Sequence, residues 1–240
     1  MEAQKKRIVL FDVDGTLVKP MGRVTPEMTV FLEDLRKILP TAIVGGSNFD
    51  KQRYQIGEDV LSRFDYVFSE NGLVAFKDGQ PLGIESIKTK FGDEKIKEFT
   101  KYVLTLIASL DIPVMRYGHV YRVPLGHVEH LSHRPQLLAG GARGEHKVRE
   151  KMVKQLQERF ADWNLKFSIG GEISFDVFPA GWDKTHCLKY LQEYDEIYFY
   201  GDKTMPGGND YEIFSHPDVV GHTVVSPEDT MRQVRERFMQ

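Results

Sequence analysis

The feature that most constrains this chain is a short apolar run near its beginning that ends in two aspartates and a glycine. Residues 8–10 lead directly into Phe-Asp-Val-Asp-Gly-Thr-Leu at residues 11–17. A short apolar run that stops at such a motif predicts a buried strand followed by a sharp turn. In open α/β sheets, ligands bind at the carboxyl ends of the strands. We therefore expect both carboxylates, Asp12 and Asp14, at a ligand-binding edge.

The two aspartates suit phosphoryl transfer. A carboxylate is ionised at neutral pH, so Asp12 can attack phosphorus as a nucleophile and form an acyl-phosphate. Asp14, two residues further on, can carry the proton that a leaving or attacking hydroxyl needs. A bare Asp-x-Asp is more often a turn with solvated acids, but the full motif directly after a strand favours catalysis. Asp12 and Asp14 are the predicted catalytic residues.

The pattern after the motif alternates between strands and helices. Thr25 and Pro26 predict the start of a helix over 26–38. A second apolar run at 41–44 ends in Gly-Gly-Ser and leads into a polar helix at about 50–62. A third strand is expected at 64–68. This βαβα order is the signature of a parallel sheet.

The alternation of strands and helices stops after about residue 80 and resumes near residue 182. The intervening segments are predicted to be two helices, 93–110 and 147–161, and two strands, 165–169 and 172–178. A helix from Asp183 and a strand at 196–200 then resume the first pattern. The sequence thus predicts an α/β fold with a Rossmann-like parallel-sheet core (1–81 and 182–240) and an inserted α+β cap domain (82–181).

Composition restricts the classes of partner and the cellular compartment that we expect for this protein. The net charge of −3 and the pI near 6.3 argue against nucleic-acid binding. A single cysteine, Cys187, fits a reducing compartment. The charged start of the chain precedes only a few apolar residues, which predicts neither a signal peptide nor a membrane segment. We expect a cytoplasmic protein that acts on small molecules.

Three further motifs complete a predicted phosphate and metal site. Ser47, which follows two glycines at a helix start, can donate to a phosphate, although such a motif alone is often only a turn. Lys184 also begins a helix, where a cation is unfavourable unless it faces a carboxylate and a phosphoryl group. Asp202 follows the last clear strand. With Asp12 and the Asp14 carbonyl it would offer the hard oxygens that Mg²⁺ prefers, and Asp210 could support them.

The order of these motifs resembles the haloacid-dehalogenase-like superfamily and, more narrowly, the eukaryotic-type phosphomannomutases. The resemblance rests on Val-Gly-Gly-Ser ending at 47, residues 65–72, residues 167–179, Gly-Trp-Asp-Lys ending at 184 and residues 201–210. It implies a haloacid-dehalogenase-like core, Mg²⁺, an aspartyl-phosphate, and interconversion of mannose 6-phosphate and mannose 1-phosphate for GDP-mannose synthesis. It also implies activation by a hexose 1,6-bisphosphate, Ser174 and Asp176 as sugar contacts, a closing cap, and a homodimer joined through the caps.

One segment departs from that family. Residues 118–144 lack its phosphate-binding arginines, whereas reading the back-translated sequence one base later restores a family-like stretch. We therefore hypothesise a shifted reading frame here; genomic or transcript sequence across this segment would test it. Arg122, Arg134 and Arg143 are the candidate substitutes for the lost arginines, and Arg23 for an arginine expected at Met21.

The sequence leaves three functions open. A phosphomannomutase is the first, and the second is a sugar-phosphate phosphatase on the same core. The third is a catalytically impaired sugar-phosphate binder, should the altered segment be genuine. His127, His130 and His133 in that segment do not have the usual spacing of zinc ligands.

Overall fold

The computed structural model describes residues 5–20, 22–109, 142–168 and 176–239. It divides into two compact units, which we call the core unit (Met1–Glu85 and Gly181–Gln240) and the inserted unit (Ser86–Ala180). Their boundaries fall within a few residues of the expected positions 81 and 182. The assignment of the two units to phosphotransfer and to substrate binding stays a prediction.

The fold is α/β, as predicted. The strands are β1 (Arg7–Phe11), β2 (Thr41–Val44), β3 (Tyr66–Ser69), β4 (Val74–Lys77), β5 (Gln80–Ile84), β6 (Leu165–Ser168), β7 (Asp176–Pro179), β8 (Glu196–Gly201) and β9 (Val219–Thr223). The α-helices are α1 (Pro26–Arg36), α2 (Phe49–Ile56), α3 (Val60–Arg63), α4 (Ile87–Ser109), α5 (Ala142–Arg159), α6 (Tyr211–Phe214) and α7 (Pro227–Phe238).

The core unit is built on a seven-stranded sheet in the order β5-β4-β3-β2-β1-β8-β9. The five strands from β3 to β9 in this order run parallel, while β4 and β5 add an antiparallel edge. β1 lies in the middle, with Phe11 aligned with Ile43 on one side and with Tyr200 on the other. The carboxyl ends of β2, β1 and β8 therefore share one edge of the sheet.

Burial on both faces explains why the central strands read as unbroken apolar runs. Ile8 and Leu10 pack into one hydrophobic cluster, and Val9 and Phe11 pack into the cluster on the other face. All four side chains are 0% exposed. Parallel strands covered on both faces lack the alternation of polar and apolar residues that marks a half-exposed strand. The core thus fixes β1 rigidly beneath the motif that follows it.

Two local predictions were wrong in detail, and one element was missed. The polar helix expected over 50–62 is two helices, because Gly57 with φ +128° ends α2. The helix after Asp183 is a 3₁₀ helix, Lys184–Tyr190. The hairpin of β4 and β5 was not predicted.

The inserted unit has its own small core. Buried Phe99 and Leu106 of α4 pack with Leu156 and Phe160, which lie in α5 and just beyond it. α4 bends at Gly92, whose φ is +75°. β6 and β7 pair antiparallel, in line with the two predicted strands. Within the described ranges, the chain forms no helix long and apolar enough to span a bilayer.

Candidate active site

Three predicted site residues follow neighbouring parallel strands. Asp12 comes directly after β1, and its N–H donates to the carbonyl of Tyr200 in β8 at 2.9 Å. Asp202 follows the last residue of β8, and Ser47 lies three residues beyond β2. Since these strands are adjacent, the topology brings the three residues to one edge. Their roles remain predictions.

The centre of the site is a buried lysine shared by two aspartates. The Lys184 ammonium donates directly to Asp12 and to Asp210. Lys184 is 1% exposed, Asp12 is 4% exposed and Asp210 is 0% exposed. The second oxygen of Asp210 accepts from the Lys203 N–H at 3.0 Å. Asp210 is therefore committed to holding Lys184 and the loop after β8.

Burial and crowding set the electrostatics of this cluster. Burial raises the pKa of Asp12 to about 7, the ammonium of Lys184 opposes that rise, and the carboxylates of Asp210 and Asp202 add to it. Burial alone would lower the pKa of Lys184, but Asp12 and Asp210 outweigh it and raise that pKa. Burial also raises the pKa of Asp202. Lys184 contacts two of the three carboxylates and Lys203 acts on Asp202, so the cluster keeps an excess of negative charge that favours a bound cation.

Two carboxylates of this cluster, Asp12 and Asp202, fit a hard divalent metal. One oxygen from each of Asp12, Asp202 and Asp210 lies within 4.8 Å of the others. Gly15 lets the first loop approach Asp202, because a β-carbon at Gly15 would lie 2.5 Å from the Asp202 Oδ2 atom. Its φ of +84° also favours glycine. Carboxylate oxygens at this spacing, in a cluster with excess negative charge, suit Mg²⁺.

Asp14 is oriented by helix α2. The Lys51 ammonium lies 2.8 Å from one oxygen of Asp14, and the Gln55 side-chain amide donates to the other at 2.7 Å. Gln55 is only 2% exposed, and buried polar groups need partners. Sequence reasoning missed both residues. The available signal was two glutamines, Gln52 and Gln55, on a helix with few apolar residues to bury.

The remaining predicted ligands are only partly described. The Arg23 guanidinium stacks over the Tyr54 ring at 4.1 Å and lines a cavity of about 480 Å³ that Gln55 also lines. Arg23 and Gln55 therefore share this cavity, and Asp14 is not among the residues that line it. Ser174, Arg134 and Met21 lie outside the described residues, as do the side chains of Arg143 and Asp176.

Comparison with known proteins decides the family. Residues 28–240 match the model of the family described as eukaryotic phosphomannomutase. The chain belongs to this family. The phosphomannomutase of Spinacia oleracea is 50% identical over 246 residues, covering 100% of this chain and 98% of the relative. That of Arabidopsis thaliana is 48% identical over 239 residues, covering 97% and 96%. The predicted resemblance to the eukaryotic-type phosphomannomutases is thereby confirmed.

Solved structures support the fold. An IMP-nucleotidase of Plasmodium falciparum superposes with a TM-score of 0.62 at 14% identity, over 96% of this chain and 68% of that one. At that identity the likeness speaks only for architecture. The eukaryotic phosphomannomutase family membership and this architecture agree with the predicted haloacid-dehalogenase-like core.

Proposed function

We propose that this chain is a phosphomannomutase that interconverts mannose 6-phosphate and mannose 1-phosphate through an aspartyl-phosphate on Asp12. The reaction would supply mannose 1-phosphate for GDP-mannose synthesis. The observation that carries the proposal is the buried contact of Lys184 with Asp12 and Asp210, in a chain about half identical to phosphomannomutases along its whole length.

The chemistry follows from the groups around Asp12. An oxygen of Asp12 attacks a phosphorus of the hexose 1,6-bisphosphate, the bond from that phosphorus to the sugar oxygen breaks, and Asp14 protonates the departing oxygen. In the second half, Asp14 takes the proton from a sugar hydroxyl, which attacks the phosphorylated Asp12. Lys184 stabilises the charge that develops on the transferring group. Because the phosphoryl group is returned to sugar, one bisphosphate is used and one is regenerated in each cycle.

Asp12, Asp202 and the Asp14 carbonyl would hold the Mg²⁺. When bound, the ion supplies positive charge that shields the nucleophile and phosphate from one another. Asp210 keeps its supporting place, since both its oxygens already accept from Lys184 and the Lys203 N–H.

Stabilisation by Mg²⁺ is expected to depend on pH. The pKa of Asp12 is raised to about 7 in the metal-free protein. The stability that the protonated Asp12 carboxyl contributes is therefore lost as the pH rises through about 7. Mg²⁺ needs the ionised form and should stabilise the protein by about 2.7 kcal/mol at about 100 times its Kd. Each pH unit below the Asp12 pKa should weaken the apparent affinity about tenfold.

Thermal unfolding with and without Mg²⁺, at about pH 8 and about pH 5.5, measures this effect. The increase in Tm should be large at the higher pH and small at the lower one. Asp202→Asn should reduce it at both. An equal increase at both pH values, unaffected by Asp202→Asn, would place the ion elsewhere.

Substrate recognition and assembly complete the proposal. Ser47 and Lys184 bind the transferring phosphoryl group, while Ser174, Asp176 and Arg134 of the inserted unit bind the sugar phosphate. Arg143 replaces a lost family arginine at the distal phosphate, and Arg23 replaces the phosphate-contacting arginine expected at Met21. We further propose a cytoplasmic homodimer joined through the inserted units and activated by hexose 1,6-bisphosphate.

A coupled assay for mannose 6-phosphate formed from mannose 1-phosphate tests the function. With Mg²⁺ and glucose 1,6-bisphosphate, we expect conversion that depends on both additions. The segment 118–144, without the arginines of the family pattern, favours hydrolysis as the second candidate. Steady phosphate release that needs no bisphosphate, without mannose 6-phosphate, would identify a phosphatase. If neither product forms, the chain is a sugar-phosphate binder.

A further inference from the structure

The turn after β3 holds a rarely populated backbone conformation. Glu70 and Asn71 have φ values of +50° and +63°, followed by Gly72 at +99°. A β-carbon is crowded in this left-handed region, which asparagine tolerates better than glutamate. Two such non-glycine residues in succession persist only where their surroundings fix them. Their contacts show what fixes them here.

The backbone of the turn is bonded to the Ser47 loop. The Glu70 N–H donates to the Ser47 carbonyl, and the Asn71 N–H donates to the Gly45 carbonyl, each at 2.9 Å. Peptide groups are planar and trans, so a carbonyl aimed at the turn directs the N–H of the same peptide the opposite way. The N–H groups of Gly46 and Asn48 therefore point away from the turn. The left-handed residues thus set the orientation of the loop's donors.

The same turn is fastened to the segment that carries Lys184. The Asn71 side-chain amide donates to the Trp182 carbonyl at 3.1 Å. Gly72 lies directly against Cys187, where an added β-carbon would be 2.9 Å from the Cys187 Cα atom. Lys184 stands between these two attachment points. One turn therefore touches both elements proposed to bind the phosphoryl group.

We propose that Asn71 is a positioning residue that holds the Ser47 loop and the Lys184 segment in register for a phosphoryl group. The inference rests on the proposed phosphate-binding roles of Ser47 and Lys184. Asn71 does both tasks because its backbone accepts the left-handed turn while its side chain reaches Trp182. Glycine would keep the first property and lose the second.

Asn71→Gly separates the two properties. The variant should be within about 1 kcal/mol of the wild type in stability, because relief of the left-handed strain offsets the lost hydrogen bond to Trp182. Its Kd for inorganic phosphate in the presence of Mg²⁺ should nevertheless rise, and its mutase kcat should fall, each by about 10-fold to about 100-fold. Calorimetry, thermal unfolding and the coupled assay give the three readouts. Asn71→Asp, which lacks the amide donor, should lose phosphate affinity in the same way and serves if the glycine variant does not fold.

Asp78→Gly is the matched control. Asp78 also has a left-handed φ, +49°, in the turn between β4 and β5, and its N–H donates to the Asp65 carbonyl. Its replacement should leave phosphate affinity unchanged. Phosphate affinity in Asn71→Gly and Asn71→Asp equal to that of the control would overturn the positioning role. If the wild type has no mutase activity but phosphate binding still weakens in Asn71→Gly, the proposed function is wrong. The positioning role of Asn71 then still holds.

Discussion

Replacing Asp12 by asparagine is expected to lower mutase turnover by at least about 10⁴-fold, the scale seen when a nucleophile is removed from an organised site. The amide has nearly the volume of the carboxylate but cannot attack phosphorus. The fold should survive, because Lys184 retains Asp210 as its partner. At about pH 8 we expect the metal-free variant to be at least as stable as the wild type, since ionised Asp12 is disfavoured by burial.

The coupled assay and thermal unfolding, run on the same preparation, measure both parts of this prediction. Asp218→Asn is the control, because the Asp218 side chain is 81% exposed. The control should retain full activity. Turnover in Asp12→Asn within tenfold of the control would mean that another group accepts the phosphoryl group.

Replacing Lys184 by methionine is expected to cost both stability and activity. Removal of one partner from a buried ion pair typically costs about 3–5 kcal/mol, because the other charge stays buried without compensation. Here two carboxylates, Asp12 and Asp210, would lose their ammonium. Turnover should fall by about 10²-fold to about 10³-fold, as for loss of a preorganised charge in other active sites.

The stability loss should grow with pH. In the variant, Lys184 no longer opposes the burial that raises the pKa of Asp12, so protonation at low pH relieves this buried carboxylate and ionisation at high pH does not. Denaturant unfolding at about pH 6 and about pH 8 without metal measures the difference. Lys37→Met provides the comparison, since Lys37 and its partner Asp34 are exposed and such a pair contributes little to stability. A Lys184→Met protein as stable as Lys37→Met at both pH values would contradict a buried, charged pair.

Local sequence correctly predicts the strands at the centre of the fold. β1 and β2 are apolar after their first residues, Arg7 and Thr41, because both faces are covered, and the motifs after them mark where each strand ends. β5 is different: four of its five residues are exposed and one is Pro81, so burial leaves no pattern in the sequence. Asp78-Gly79, a frequent hairpin turn, was the one local signal for the β4 and β5 pair.

The residues of the site also divide into those that local sequence predicts and those that it does not. Asp12 and Asp202 follow strands, so topology alone brings them to one edge. Lys51, Gln55 and Asn71 act through contacts with residues far away in the chain, and no local pattern specifies such partners. The positive φ of Asn71 has only a weak trace, the Asn-Gly pair at 71–72. The proposed sugar contacts Ser174 and Arg134 lie outside the described residues and stay predictions.

Trapping of the phosphoenzyme shows which residue accepts the phosphoryl group. The protein is mixed with Mg²⁺ and glucose 1,6-bisphosphate carrying labelled phosphate, quenched in acid and digested, and the labelled peptide is identified by mass spectrometry. We expect an acyl-phosphate, labile to hydroxylamine, on the peptide that contains Asp12. A protein that converts mannose 1-phosphate to mannose 6-phosphate while the label appears on another residue would contradict this expectation.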